Sequence, residues 1–154
     1  MKITRPVGRV AARINAAAPD LAVIPGDFVY FLDPAKYEDA FAALATIKPP
    51  VLAVLGNHDL GLPGPDVSGD LAESLSPYSV TLLDNRQRKF ALHGGDIEVV
   101  GLSDDWAGPQ KLDLLLPDAA TPRIVVTHNP ASVQRFTTGM KSDRQAQLLH
   151  WRGT

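Results

Sequence analysis

Pro19-Asp20-Leu21-Ala22-Val23-Ile24-Pro25-Gly26-Asp27-Phe28-Val29 and Val51-Leu52-Ala53-Val54-Leu55-Gly56-Asn57-His58-Asp59 are the two stretches that decide the fold class. Each opens with a short apolar run that stops at a glycine and turns polar. An unbroken apolar run of that length reads as a strand buried on both faces. Between the two, Pro34 opens a helical pattern with Tyr37, Phe41 and Leu44 on one face, and Pro49-Pro50 ends it. Strand, helix and strand joined by a helical crossover build a parallel sheet, so the class is α/β.

Upstream, Val7, Val10, Ala11 and Ile14 follow the spacing of a helix face, with Arg9 and Arg13 opposite and Pro19-Asp20 as the stop. Downstream, residues 60–69 are rich in Gly and Pro and read as a loop, and Asp70 to Leu75 reads as a short helix. Ser79 to Leu83, Lys89 to Leu92 and Ile97 to Leu102 are short strand candidates. The turn residues Asp84-Asn85 and Gly94-Gly95-Asp96 separate them, which predicts a meander of antiparallel strands. A short helix is expected over Gln110 to Leu116, a buried strand over Arg123 to Val126, and a last helix reaching Thr138.

Composition narrows the function. A chain of 154 residues predicts one domain over 1–154, and a 45% hydrophobic content suffices for a real core. Lys and Arg number 15 against 17 Asp and Glu, a net charge of −2 with no basic run, which argues against a nucleic-acid-binding face. The chain has no Cys, hence no disulfide framework and no thiolate metal site. No apolar stretch approaches the ~18–20 residues of a membrane span, and the first residues lack the apolar core of a signal peptide. The chain as written reads as cytoplasmic; its oligomeric state is not legible.

Three of the apolar runs end in polar clusters: Gly26-Asp27, Gly56-Asn57-His58-Asp59 and Thr127-His128-Asn129. In open α/β sheets the crevice beyond the carboxyl ends of the strands is where ligands bind. Carboxylate, amide oxygen and imidazole are suited to divalent transition metals. Glycine before Asp27 and before Asn57 lets the chain turn sharply and come close to an ion. Elsewhere, His93 reads as a turn residue, Asp20 and Asp33 as helix-end or turn residues, and Asp104-Asp105 as a solvated loop, with shaping of the site rim as the alternative. The two Trp read as packing, and His150 as no ligand.

With these motifs in this order, the sequence resembles the calcineurin-like metallophosphoesterases over about residues 7–143. The matching residues are those of 19–29, Gly56 to Asp59, and Val125-Val126-Thr127-His128-Asn129-Pro130. The resemblance implies an αββα sandwich of two mixed sheets flanked by helices. It implies two divalent ions (Mn, Fe or Zn) and hydrolysis of a phosphomonoester, phosphodiester or pyrophosphate bond by metal-activated hydroxide. Asp27 is then the bridging carboxylate, and Asn57 and His128 are further metal ligands. His58 faces the substrate phosphate, and Asp59 hydrogen-bonds and orients that imidazole. The Gly-Asp-Phe-Val run is similar to a bacterial subgroup often linked to membranes, so membrane association is an expectation for an intact version.

Two family motifs have no counterpart here. No Asp-x-His precedes Asp27, and the run from Met140 to Thr154 contains no Gly-His-x-His and does not read as a buried strand. The family pattern therefore implies a fold incomplete at both termini, holding one ion in place of two. The rival expectation is a catalytically inactive fragment. A nucleotide-binding regulatory domain is disfavoured, because neither common Gly-rich phosphate loop is present.

Overall fold

Strand β2 (Val51–Ala53) sets the layers, because its neighbours alternate between two cores. Val51 and, just beyond the strand, Leu55 pack with Ala11, Ala22, Tyr37, Phe41, Leu44, Leu71 and Leu75 beneath helices. Leu52 and Val54 face the other way, onto Leu83, Val99 and Val126. A strand whose successive side chains point to opposite faces must be apolar at every position when both faces are covered. That is why the run carries no polar residue before Gly56.

The structure, a computed structural model, describes residues 4–115, 121–132 and 146–149. Helix α1 (Thr4–Ala17) leads into β1 (Ala22–Ile24). The crossover to β2 is a 3-10 turn (Pro34–Lys36), α2 (Tyr37–Phe41) and a second 3-10 stretch (Ala42–Thr46). Helix α3 (Ser68–Leu75) precedes β3 (Val80–Leu82). These strands form a sheet of order β1-β2-β3, with both pairings parallel. Strands β4 (Arg86–Leu92), β5 (Gly95–Gly101), β6 (Arg123–Val126) and β7 (Ala146–Leu149) form a second sheet, antiparallel between β4 and β5 and parallel thereafter. A 3-10 helix, Leu112–Leu115, packs on its outer face through Leu115, against Val100, Leu102 and Val125. Helices, sheet, sheet and helical turn therefore stack in order, the two-sheet α/β architecture that the motifs imply.

Four expectations change in the structure. Val80–Leu82 leaves the meander and extends the parallel sheet, because α3 returns the chain beside β2. The only antiparallel pair among the described strands is β4–β5, joined at His93-Gly94. The tail read as strandless supplies β7 on the edge of β6, where Ala-Gln-Leu-Leu finds a ladder that local sequence does not announce. Val10 is 54% exposed, since the buried stripe of α1 runs through Val7, Ala11 and Ile14. Trp106 is 68% exposed and packs in none of the cores. The helix expected to reach Thr138, with His150 and Trp151, lies outside the described residues. Among the described residues no helix is long and apolar enough to cross a membrane.

Within the second sheet, Glu98 and Arg123 form a buried ion pair between register partners of β5 and β6. Arg123 Nε donates to Glu98 Oε2 at 2.7 Å. At the strand ends the chain is held by backbone bonds that prolong the ladders: Val54 N–H to Ile24 O at 3.1 Å and Leu102 N–H to Val126 O at 2.9 Å. They align the exits of β1, β2, β5 and β6 along one edge.

Candidate metal centre

That edge brings Asp27, Asn57 and His128 together. His128 Nε2 lies 3.2 Å from Asn57 Oδ1 and 3.4 Å from Asp27 Oδ2. The other faces of these groups are engaged in ways that fix their orientation. His128 Nδ1 lies 2.7 Å from Pro25 O, and a carbonyl only accepts, so the ring carries its proton on Nδ1. The Asn57 amide donates through Nδ2 to Leu62 O, which turns Oδ1 toward His128. Asp27 Oδ1 accepts from the His58 N–H at 3.2 Å. The ring's other nitrogen, Nε2, then faces the Asn57 and Asp27 oxygens.

Two oxygens and a ring nitrogen this close are held together by a cation shared between them, either a proton on Nε2 or a bound metal ion. Their spacing suits a metal. Donor bonds of ~2.1 Å put neighbouring donors about 3.0 Å apart at right angles and about 3.4 Å apart at the tetrahedral angle. The carboxylate, amide oxygen and imidazole therefore fit one divalent ion, with the Pro25 and Leu62 carbonyls orienting two of the donors from behind, as outer partners of metal ligands do. Among the described residues no group of three or more His, Cys, Asp or Glu could hold an ion, so acidic and histidine side chains alone do not complete a site. The set present needs the Asn57 oxygen, and a second ion finds only Asp27 from the expected ligands.

Close approach of two loops makes the cluster possible. Gly26 has φ +96°, and a Cβ there would lie 2.6 Å from Gly56 N and 2.8 Å from His128 Nδ1. A Cβ on Gly56 would lie 2.6 Å from Asp27 N. Asp27 itself has φ 54°, a left-handed conformation that a short polar side chain tolerates. Strained backbone at such a point is characteristic of functional sites.

Asp59 behaves differently from expectation. Its carboxylate accepts from three main-chain N–H groups: Gly56 at 2.9 Å, and Phe28 and Val29 at 3.2 Å each. The Nδ1 of His58 is buried and has no hydrogen-bond partner among the described residues. The expected bond from Asp59 to the imidazole is thereby corrected: the carboxylate ties the loop after β1 to the loop after β2. Three amides can reach it because both loops turn back over the same buried point. Burial pushes the Asp59 carboxyl up from its ordinary value, the three N–H groups oppose that, and Asp27 adds to it. The His58 ring packs edge-on against Tyr30, centroids 4.5 Å apart.

Asp104 is the residue that the solvated-loop reading missed. It is fully buried, Oδ1 accepts from Trp106 N at 2.9 Å, and Oδ2 has no partner among the described residues. Burial raises its carboxyl, Trp106 N–H and the nearby His128 lower it, and Asp105 and Asp27 raise it further. A signal was available: Leu102-Ser103-Asp104 follows a buried strand in the same manner as the three clusters that were singled out. The parallel β5–β6 ladder brings that exit beside His128. Asp33 caps its 3-10 turn by accepting from Ala35 N at 3.0 Å, and His93 sits in the hairpin turn against Asp20, both as expected.

A model of the family described as calcineurin-like phosphoesterase matches residues 5–150. The crystal structure of TT1561 of Thermus thermophilus is similar at a TM-score of 0.62 and 12% identity, covering 90% of this chain and 73% of that chain. At that identity the likeness is one of fold. No curated protein matches the chain.

Proposed function

The chain belongs to the calcineurin-like phosphoesterases, and we propose that it hydrolyses a phosphomonoester, phosphodiester or pyrophosphate bond at the cluster of Asp27, Asn57 and His128. The observation that carries this reading is the approach of His128 Nε2 to Asn57 Oδ1 and Asp27 Oδ2, at 3.2 and 3.4 Å, with the ring's Nδ1 held by Pro25 O. A divalent ion bound there supplies Lewis-acid charge and acidifies water near neutral pH.

The remaining roles belong to the chain's own groups. Asp27, Asn57 and His128 hold the ion and, being tied from behind, need little reorganisation to do so. Buried Nδ1 leaves Nε2 as the nitrogen of His58 free to meet a substrate. A histidine there can protonate the departing oxygen, a contribution of roughly 10²–10⁴-fold. Asp59 keeps the two loops in register, and Gly26 and Gly56 let them touch.

The test is metal content and turnover of the purified chain. We expect about one Mn, Fe or Zn per chain and hydrolysis of bis-p-nitrophenyl phosphate with added Mn. Asp27→Ala should abolish both. Full turnover by Asp27→Ala, or turnover insensitive to chelation, would overturn the assignment. The second reading, an inactive chain holding one ion, draws support from the scarcity of donors for a second ion among the described residues. Bound metal with no turnover would favour it.

A further inference from the structure

A cavity of about 440 Å³ opens beside His58, between the loop after β1 and the loop that leads into α3. Val29, Phe31, Leu32, Pro63, Pro65 and Val67 give it apolar walls, and Tyr37 lies among them. Asp33, Asp66 and Asp70 also line it, and the lining contains no Lys or Arg. The cavity lies next to the metal cluster, since His58 lines it and donates its backbone N–H to Asp27. We propose that this cavity receives the alcohol side of the phosphoester substrate and selects an apolar alcohol bearing a positive charge over an anionic one. The inference rests on the phosphoesterase reading and narrows it to a substrate class.

Three observations point to an occupant. The first is charge. An anionic arm, as in a nucleotide or a diphosphate, would enter an apolar cavity beside carboxylates with no cation to meet it, whereas an ammonium group would be attracted by them. The second is Phe31. It adopts φ 52°, an uncommon conformation for a bulky residue, yet the residue is 65% exposed. Its ring rests over Gly64, where a Cβ would come within 3.0 Å of Cε1, and stacks edge-on with Tyr30 at 4.7 Å. The ring is thereby held at the cavity wall with most of its surface open to a ligand. Aromatic faces also attract cations. The third is Tyr37, 1% exposed, whose hydroxyl has no hydrogen-bond partner among the described residues. Burial, then Asp70, Asp59 and Asp33, hold its proton in place.

The experiment compares two probes of equal chain length, hexyltrimethylammonium and hexanesulfonate, titrated by calorimetry into the whole chain without metal. We expect the ammonium to bind at least about tenfold more tightly. Asp70→Lys should erase that preference, while Asp96→Lys on the exposed β4–β5 hairpin should leave it intact. Equal binding of both probes, binding of neither, or no effect of Asp70→Lys overturns the proposal. With Mn present, the ammonium probe should raise KM for bis-p-nitrophenyl phosphate without lowering kcat. Turnover indifferent to bound probe overturns the substrate role of the cavity and leaves the phosphoesterase reading standing. Absence of any turnover refutes that reading, and the substrate role of the cavity with it.

Discussion

Gly56→Ala is the substitution whose consequence follows most directly from the geometry. An added methyl would stand 2.6 Å from Asp27 N and 2.9 Å from Asp27 Cγ. Comfortable contacts of a carbon lie near ~3.5–4.0 Å, so Asp27 must retreat by about 1 Å. Its backbone is already left-handed, and Asp59 clamps the residues that follow through Phe28 and Val29. The retreat therefore moves the whole loop away from Asn57 and His128. Overpacking of this kind costs about 1–3 kcal/mol of stability. Displacing an oriented metal ligand costs roughly 10–100-fold in affinity, and a misplacement of about 1 Å can cost on the order of 100-fold in rate. Urea unfolding, Mn titration and bis-p-nitrophenyl phosphate turnover read the three effects separately. Gly69→Ala is the control, since a Cβ there meets nothing within 4 Å and lies inside α3. It should be neutral or stabilise by up to about 1 kcal/mol. If Gly56→Ala bound Mn as tightly as the parent chain and melted at the same temperature, the close packing of the two loops would be refuted.

Asp59→Ala should lower stability by about 3 kcal/mol or more, because three main-chain N–H groups lose their shared acceptor. Were Asp59 acting on His58 instead, stability would hold and only the pH dependence of turnover would move. Glu98→Ala should cost about 3 kcal/mol in urea unfolding, since it removes a carboxylate bonded to the buried Arg123 guanidinium. The loss of less than about 1 kcal/mol would contradict a buried pair. Asp104 sets a pH dependence of the metal-free protein. Its carboxyl is raised in the folded state, so between the ordinary value and the raised one the folded chain holds a proton that the unfolded chain has released. Stability must fall as pH rises through that window. Thermal melts across acidic pH should show a shallower fall for Asp104→Asn, with Asp59 supplying the remainder; an unchanged slope would place Asp104 in solvent.

The α/β class and the three clusters were legible because they rest on local patterns. A run such as Val51 to Leu55 is apolar at every position only where a strand is covered on both sides, and Gly56 marks where the cover ends. The same logic located Asp27, Asn57 and His128. It failed at Asp104, where the strand is exposed at its start and the following Asp-Asp-Trp reads as solvent, and at Ala146 to Leu149, whose strand needs the edge of β6 to exist.

What only the tertiary structure decided is which atoms meet. The Asp59 carboxylate serves three backbone amides because two loops, some thirty residues apart in sequence, fold over one buried point, and no spacing rule encodes that. Likewise the proton on His128 Nδ1 is fixed by Pro25, more than a hundred residues away along the chain. Local sequence sets which faces of the strands are buried, since that depends on near neighbours. Convergence of lone pairs depends on long-range register, which the sheets alone fix.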